Sequence, residues 1–160
     1  MLMRRKSIIG LCISFISLAI IAFAIVYCFS KNNNIKTEYL RASYAIDVND
    51  MNEMTGFSDY VFVGYVSSQD RTEYSSIPYT VYKIKNIENL KGTLSTNNEI
   101  EIFKSGGISE DGKNFVIYEN DIMPEEGKVY VFFACGQPDG SILISGENSN
   151  FYIDYSRIMV

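Results

Sequence analysis

The sequence predicts a mainly β protein: one N-terminal transmembrane helix followed by a single small β-barrel domain with one or two short helices. Three observations carry this. From Ile8 to Phe29 there are 22 consecutive residues without a charge. After Gly56, short runs rich in β-branched and aromatic residues alternate with glycine-containing breaks, the pattern of a closed or nearly closed barrel or a small sandwich. A length of 160 residues leaves room for one domain plus an anchor and not for two full domains.

The uncharged run comes first. At about 1.5 Å per residue it reaches roughly 33 Å as a helix, enough to cross a hydrocarbon core of about 30 Å. Residues 8–29 are therefore expected to span a lipid bilayer. Arg4, Arg5 and Lys6 precede the run and should stay cytoplasmic with the rest of residues 1–7, which puts the C-terminal domain outside a cell membrane as a single-pass protein. The rival reading is secretion after signal-peptide cleavage. Ala22-Phe23-Ala24 fits the small-x-small pattern, but apolar chain continues from Ile25 through Phe29, where a cleaved leader is normally followed by polar residues. A lipoprotein reading fits less well, because Cys12 follows Leu11 and Cys28 follows Tyr27 where a small residue is expected.

Beyond residue 29 the character changes. All 19 acids of the chain lie there with 11 bases, a formal charge of −8. Such a domain repels phosphate backbones, so nucleic acid is not an expected partner. Cys135 is the one cysteine outside the apolar run, so no internal disulfide is available to the domain. The chain has no His and no Trp; the Asn, Ile and Lys usage, with no Trp, suggests a bacterium with an AT-rich genome.

Residues 30–38 read as a polar, Asn-rich spacer. Residues 39–56 read as a short helical segment, in one piece or two: Leu40, Tyr44 and Val48 recur every four residues, Asp47 or Asn49 could cap a start, and Gly56 suits an end. Residues 57–160 are the expected barrel. Tyr60 to Val66 is apolar at both parities and reads as a central strand covered on both faces. Residues 67–77 are polar and read as a loop. Tyr79 to Leu90 is a second strand whose alternation slips between Ile84 and Ile87, the mark of a bulge. Asn98 to Lys104 alternates cleanly, Ile100 and Ile102 inward and Glu99 and Glu101 outward. Phe115 to Tyr118, Gly127 to Cys135, Ile142 to Ile144 and Phe151 to Ile153 complete the strands, with a turn at Gln137-Pro138-Asp139-Gly140.

The run Phe57 to Val66, then Tyr79 to Ile84, Glu88-Asn89-Leu90-Lys91-Gly92, Ile100-Glu101-Ile102 and Glu126 to Phe133, resembles the strand series of netrin-type modules, including the tissue inhibitors of metalloproteinases and small bacterial surface proteins of similar pattern. The resemblance covers roughly residues 57–155 and implies an OB-like five-stranded barrel. It implies no inhibitory residue: the animal inhibitors chelate zinc through a disulfide-locked N-terminal Cys that has no counterpart here.

Candidate sites are few. Cys135 lacks a His to activate it and shares parity with Val129, Val131 and Phe133, so it reads as a buried small hydrophobe. Glu110, Asp111, Glu119, Asp121, Glu125 and Glu126 crowd one region, but no Asp-x-Asp-x-Asp-Gly loop is present, and they read as a solvated acidic face; no metal or cofactor is expected. Ser105-Gly106-Gly107 reads as a turn and not a phosphate cradle. Eleven tyrosines lie beyond residue 29, and Tyr65, Tyr74, Tyr79, Tyr82 and Tyr118 are candidates for an aromatic binding face of the barrel. The expected function is a membrane-anchored, non-catalytic binding or interaction module outside the cell, its partner another envelope or surface protein. The alternative is a hydrolase using paired carboxylates.

Overall fold

The computed structural model describes residues 35–154. The expected membrane helix at 8–29, the basic N-terminus, most of the spacer and residues 155–160 lie outside the described residues. Among the described residues no helix is long and apolar enough to cross a membrane.

The domain is mainly β, with strands β1 (Lys36–Leu40), β2 (Tyr60–Tyr74), β3 (Pro78–Lys91), β4 (Ile100–Ser105), β5 (Gly107–Ile108), β6 (Asn114–Tyr118), β7 (Val129–Gly136), β8 (Ile142–Ile144) and β9 (Asn150–Ile153), and one short helix, α1 (Met51–Phe57). Hydrogen bonding runs β2-β3-β4-β8-β7, and β7 returns to β2, closing a five-stranded barrel compatible with an OB-like fold. The β4–β8 pairing is parallel, and the other barrel pairs are antiparallel. Strand β9 extends the sheet along β7, and β1, β6 and β5 form a separate three-stranded sheet.

Alternation builds two apolar layers. Phe62, Val66, Tyr82, Ile84, Ile102, Tyr130, Phe132, Ala134 and Ile144 fill the barrel, with the Phe62 and Phe132 rings stacked 5.2 Å apart. Residues of opposite parity, Val61 and Phe133, pack outside the barrel against Val48 and Met54. Both faces of the Tyr60–Val66 stretch are thus covered as its composition predicts, except at Tyr65, which is 38% exposed. Gly64 sits where the inner layer is tightest: a Cβ there would lie 2.5 Å from Ile84 Cγ2 and 3.1 Å from rings of both Phe62 and Phe132. The expected irregularity in β3 falls at Ile87, since Val63 pairs with Glu88 while Gly64 pairs with Asn86. At the predicted turn, the Gly140 amide donates to the Gln137 carbonyl at 2.9 Å and Gly140 takes φ +87°, which glycine adopts freely.

Two expectations are corrected. Residues 67–74 are not loop: β2 continues to Tyr74, and only Ser75–Ile77 turn. Their polarity reflects a hairpin arm with wet faces, held in part by Arg71 ion pairs to Asp70, Glu73 and Glu101. Residues 39–56 are helical in neither one long piece nor two: Lys36–Leu40 is a strand paired in parallel with β6, 41–50 is irregular, and the helix starts only at Met51. Its cap is Asp50, whose side chain accepts from the Asn52 amide at 2.8 Å, and Gly56 lies within the helix.

Candidate functional site

The β2–β3 hairpin and the β7–β8 turn converge beside the outer side of β4. Glu73 on β2 stands directly opposite Tyr79 on β3, so their side chains share a face. Phe103 comes from β4, and Gln137, Pro138, Asp139 and Ser141 come from the turn. Together with Leu143 they line a concavity of about 400 Å³, within the range of small-ligand pockets. Its apolar floor is Tyr79, Phe103 and Leu143, and its rim is polar.

Local chemistry fixes the rim. Asp139 Oδ1 accepts from the Ser141 amide at 2.9 Å and from the Ser141 hydroxyl at 2.7 Å. Those bonds hold the Asp139 carboxyl below the usual carboxylate range. On the other side, Arg71 lies 5.9 Å from the Phe103 ring centroid and donates to Glu73 (2.8 Å), Asp70 (2.8 Å) and Glu101 (3.0 Å). Lys83 also pairs with Asp70, at 3.2 Å. The Arg71 hydrogen bonds depress the carboxyls of Asp70 and Glu101. Two bases thus face three carboxylates on this wall and Asp139 faces them across the groove, which leaves it acidic.

The five candidate tyrosines do not make one face. Tyr79 lines the groove. Tyr74 is one position from Glu73, so it projects from the opposite side of the hairpin and borders a separate depression with Pro78. Tyr65 is exposed toward the far end of β2, opposite Val129 and Lys85, and Tyr118 ends β6 beside Leu40. Tyr82 is corrected outright: it is 1% exposed in the barrel core, where burial pushes its phenol above the titration range of an ordinary tyrosine. Sequence reasoning missed Phe103 and the β7–β8 turn as site residues. The signal that was present is parity, since Phe103 shares the outward face of β4 with Glu101.

Two further expectations change. Cys135 is half-buried and lines a second, apolar concavity; burial raises its thiol above the ordinary value. Asp121 is not part of a solvated acidic face. Its side chain is 1% exposed and accepts from Lys104 Nζ at 2.6 and 2.7 Å, while Lys104 Nζ also donates to Ser149 Oγ at 2.7 Å. A lysine beside a serine is a familiar general-base arrangement, but here the polarity is wrong. Lys104 Nζ donates to Ser149 Oγ and so does not accept its proton, and the Ser149 hydroxyl donates to the Gly146 carbonyl at 2.6 Å. Burial lowers the pKa of the Lys104 ammonium to about 8, and the Asp121 carboxylate beside it raises it in part. Among the described residues no group of three or more His, Cys, Asp or Glu side chains is placed to hold a metal ion.

No family model matches the chain, and no curated protein matches it.

Proposed function

We propose that the chain is a non-catalytic binding module, held at the outer face of a cell membrane by Ile8–Phe29, that takes its ligand in the groove between Tyr79, Phe103 and the Gln137–Ser141 turn. The observation that carries this reading is the groove itself: aromatic floor, polar rim, acidic field. OB-like barrels commonly use the corresponding strand face and loops for extended ligands, although a fold alone does not fix a function. The acidic field speaks against an anionic polymer. Two rings that can stack on flat apolar surfaces, with Glu73, Asp139 and Gln137 able to accept from hydroxyls, suit a neutral, hydroxyl-rich chain such as an oligosaccharide. On the strand order we also read the barrel as a netrin-type module.

The carboxylate-hydrolase alternative fits less well. Glu73 and Asp139 line the same groove, but a general acid needs a raised carboxyl, and Asp139 is held low by Ser141. Asp121 is the carboxyl that burial raises, and it faces Lys104 and not the groove.

The test is calorimetry on the full chain in phosphatidylcholine nanodiscs with chitohexaose as the neutral probe. Tyr79→Ala and Phe103→Ala should each weaken binding by roughly tenfold, about 1.4 kcal/mol. Tyr65→Ala, outside the groove, should leave it unchanged. Equal affinity of all three variants, or turnover of the probe, would contradict the reading.

A further inference from the structure

The second concavity lies on the opposite side of β8, between the 43–58 segment and the outer layer of the barrel, and has a volume of about 410 Å³. Its walls are mostly apolar, with Ser43, Ser58, Ser145, Ser149 and Glu147 among them. Ile46, Met54 and Phe57 come from the segment, and Phe133, Cys135 and Leu143 from β7 and β8. Phe57 remains 59% exposed, and Met51 on the same helix is 50% exposed. Large apolar side chains left in solvent at the mouth of an apolar groove mark an interaction surface.

Acids predominate around it. Residues 42–58 contain Asp47, Asp50 and Glu53 and no Lys or Arg, and Glu147 stands on the facing wall. Arg41, just before this segment, pairs with Glu119 at 3.8 Å. Two further cations, from the barrel, are engaged. Lys91 Nζ donates to the carbonyls of Thr55 (2.7 Å), Gly56 (3.1 Å) and Ser58 (2.6 Å), closing the C-terminal end of α1. Lys104 is sealed in its pair with Asp121. The groove therefore presents an apolar interior beside an excess of acids: Glu147 in its lining, and Asp47, Asp50 and Glu53, each accepting a backbone amide, on the flanking segment.

We infer that this groove docks a basic, apolar peptide segment of a partner protein: large apolar side chains enter beside Cys135 while flanking Lys or Arg meet Asp47, Glu53 and Glu147. Buried apolar anchors supply affinity, and the matched rim supplies orientation and rejection of wrong partners. A lipid acyl chain could occupy the same volume, but it offers nothing to the acids, and an anionic headgroup would be repelled by them. This inference gives a chemistry to the envelope partner expected of a binding module. It uses a different surface from the Tyr79 groove, Leu143 alone bordering both.

Cys135 is the reporter. In a full chain carrying Cys12→Ser and Cys28→Ser, Cys135 is the sole thiol, and its alkylation by N-ethylmaleimide can be timed in phosphatidylcholine nanodiscs. A short amphipathic peptide of Leu and Lys should slow alkylation by roughly tenfold or more. Added salt should weaken that protection, since the rim charges are screened. The same peptide with Glu for Lys should give none. Phe57→Asp, at a position 59% exposed, should abolish the protection, and Asp47→Lys with Glu147→Lys should reduce it. Tyr79→Ala should leave it intact, so failure of the Tyr79 groove and failure of this groove are read separately. No protection by the Leu–Lys peptide, equal protection by the Leu–Glu peptide, or equal protection by decanoate would each overturn the inference, the last in favour of a lipid.

Discussion

Lys104 Nζ and Asp121 Oδ1 lie 2.6 Å apart with both side chains closed off from solvent, 0% and 1% exposed. The pair joins the end of β4 to the segment after β6, and through Ser149 Oγ and the Gly146 carbonyl to the loop between β8 and β9. Strand β8 is only three residues long and pairs with β4 at only two positions, so little ladder holds the barrel shut there. The ion pair clasps that seam.

Removing one partner should therefore cost far more than removing both. Lys104→Met strands a buried carboxylate and should destabilise the domain by about 3–5 kcal/mol, whereas Lys104→Met with Asp121→Leu should recover most of that loss. Urea titration of the full chain in detergent micelles checks this; a double variant no better than the single one would show that the seam needs the charges themselves.

Part of the acid limb of stability should come from the Arg71 network, beside the depressed carboxyls of Asp111 and Asp139. Asp70 and Glu101 have folded values depressed by Arg71 from ordinary values of 3.8 and 4.5, so the folded state binds these protons less readily than the unfolded chain. Their contribution is complete above the ordinary values and is lost as pH falls through the depressed ones. Asp121 opposes this in part, because burial raises its carboxyl and the folded state takes that proton more readily. Arg71→Gln should make the fall in stability below about pH 4 shallower. An unchanged acid limb in that variant would remove the network from the account.

Gly64→Val should destabilise by about 2 kcal/mol through overpacking against Ile84, whose Cγ2 is only 2.5 Å from the added Cβ position. Val63→Ala, at a position 7% exposed in the outer layer, should cost about 1–3 kcal/mol. Glu99→Gln, on the exposed approach to β4, should stay within about 0.5 kcal/mol. Chemical denaturation ranks the three, and a neutral Gly64→Val beside a severe Glu99→Gln would reverse the inside-out assignment of the barrel.

What could be read from sequence followed from burial. Tyr60–Val66, Ile100–Ile102 and Val129–Cys135 carry their environment in their side chains, because a strand covered on one or both faces must be apolar there. Strand β2 beyond Val66 carries no such signature: Ser67 to Tyr74 lies in a wet arm stabilised by backbone pairing and ion pairs. Strand β1 was hidden for the same reason, four of its five residues being exposed. Lys104 shares parity with Ile100 and Ile102 and so points inward by the same rule, but its charge argues for solvent until Asp121, 17 positions away, is seen beside it. Of the site, Tyr79 was legible as a strand tyrosine; its companions Phe103, Gln137 and Asp139 are gathered only by barrel closure.

Cys135 should react as a hindered thiol. Burial raises it above the ordinary value, so in the Cys12→Ser, Cys28→Ser chain the pH profile of alkylation should have its midpoint above that of a free cysteine. A midpoint at or below the free-thiol value would contradict the half-buried placement.

The most direct test of the central claim, that ligand is taken between the β2–β3 hairpin and the β7–β8 turn, is hydrogen–deuterium exchange of the full chain in nanodiscs with and without chitohexaose. Slowed exchange should concentrate in peptides covering residues 73–79, 101–105 and 137–143. Protection confined to other strands, or none at a concentration where calorimetry detects binding, would contradict it.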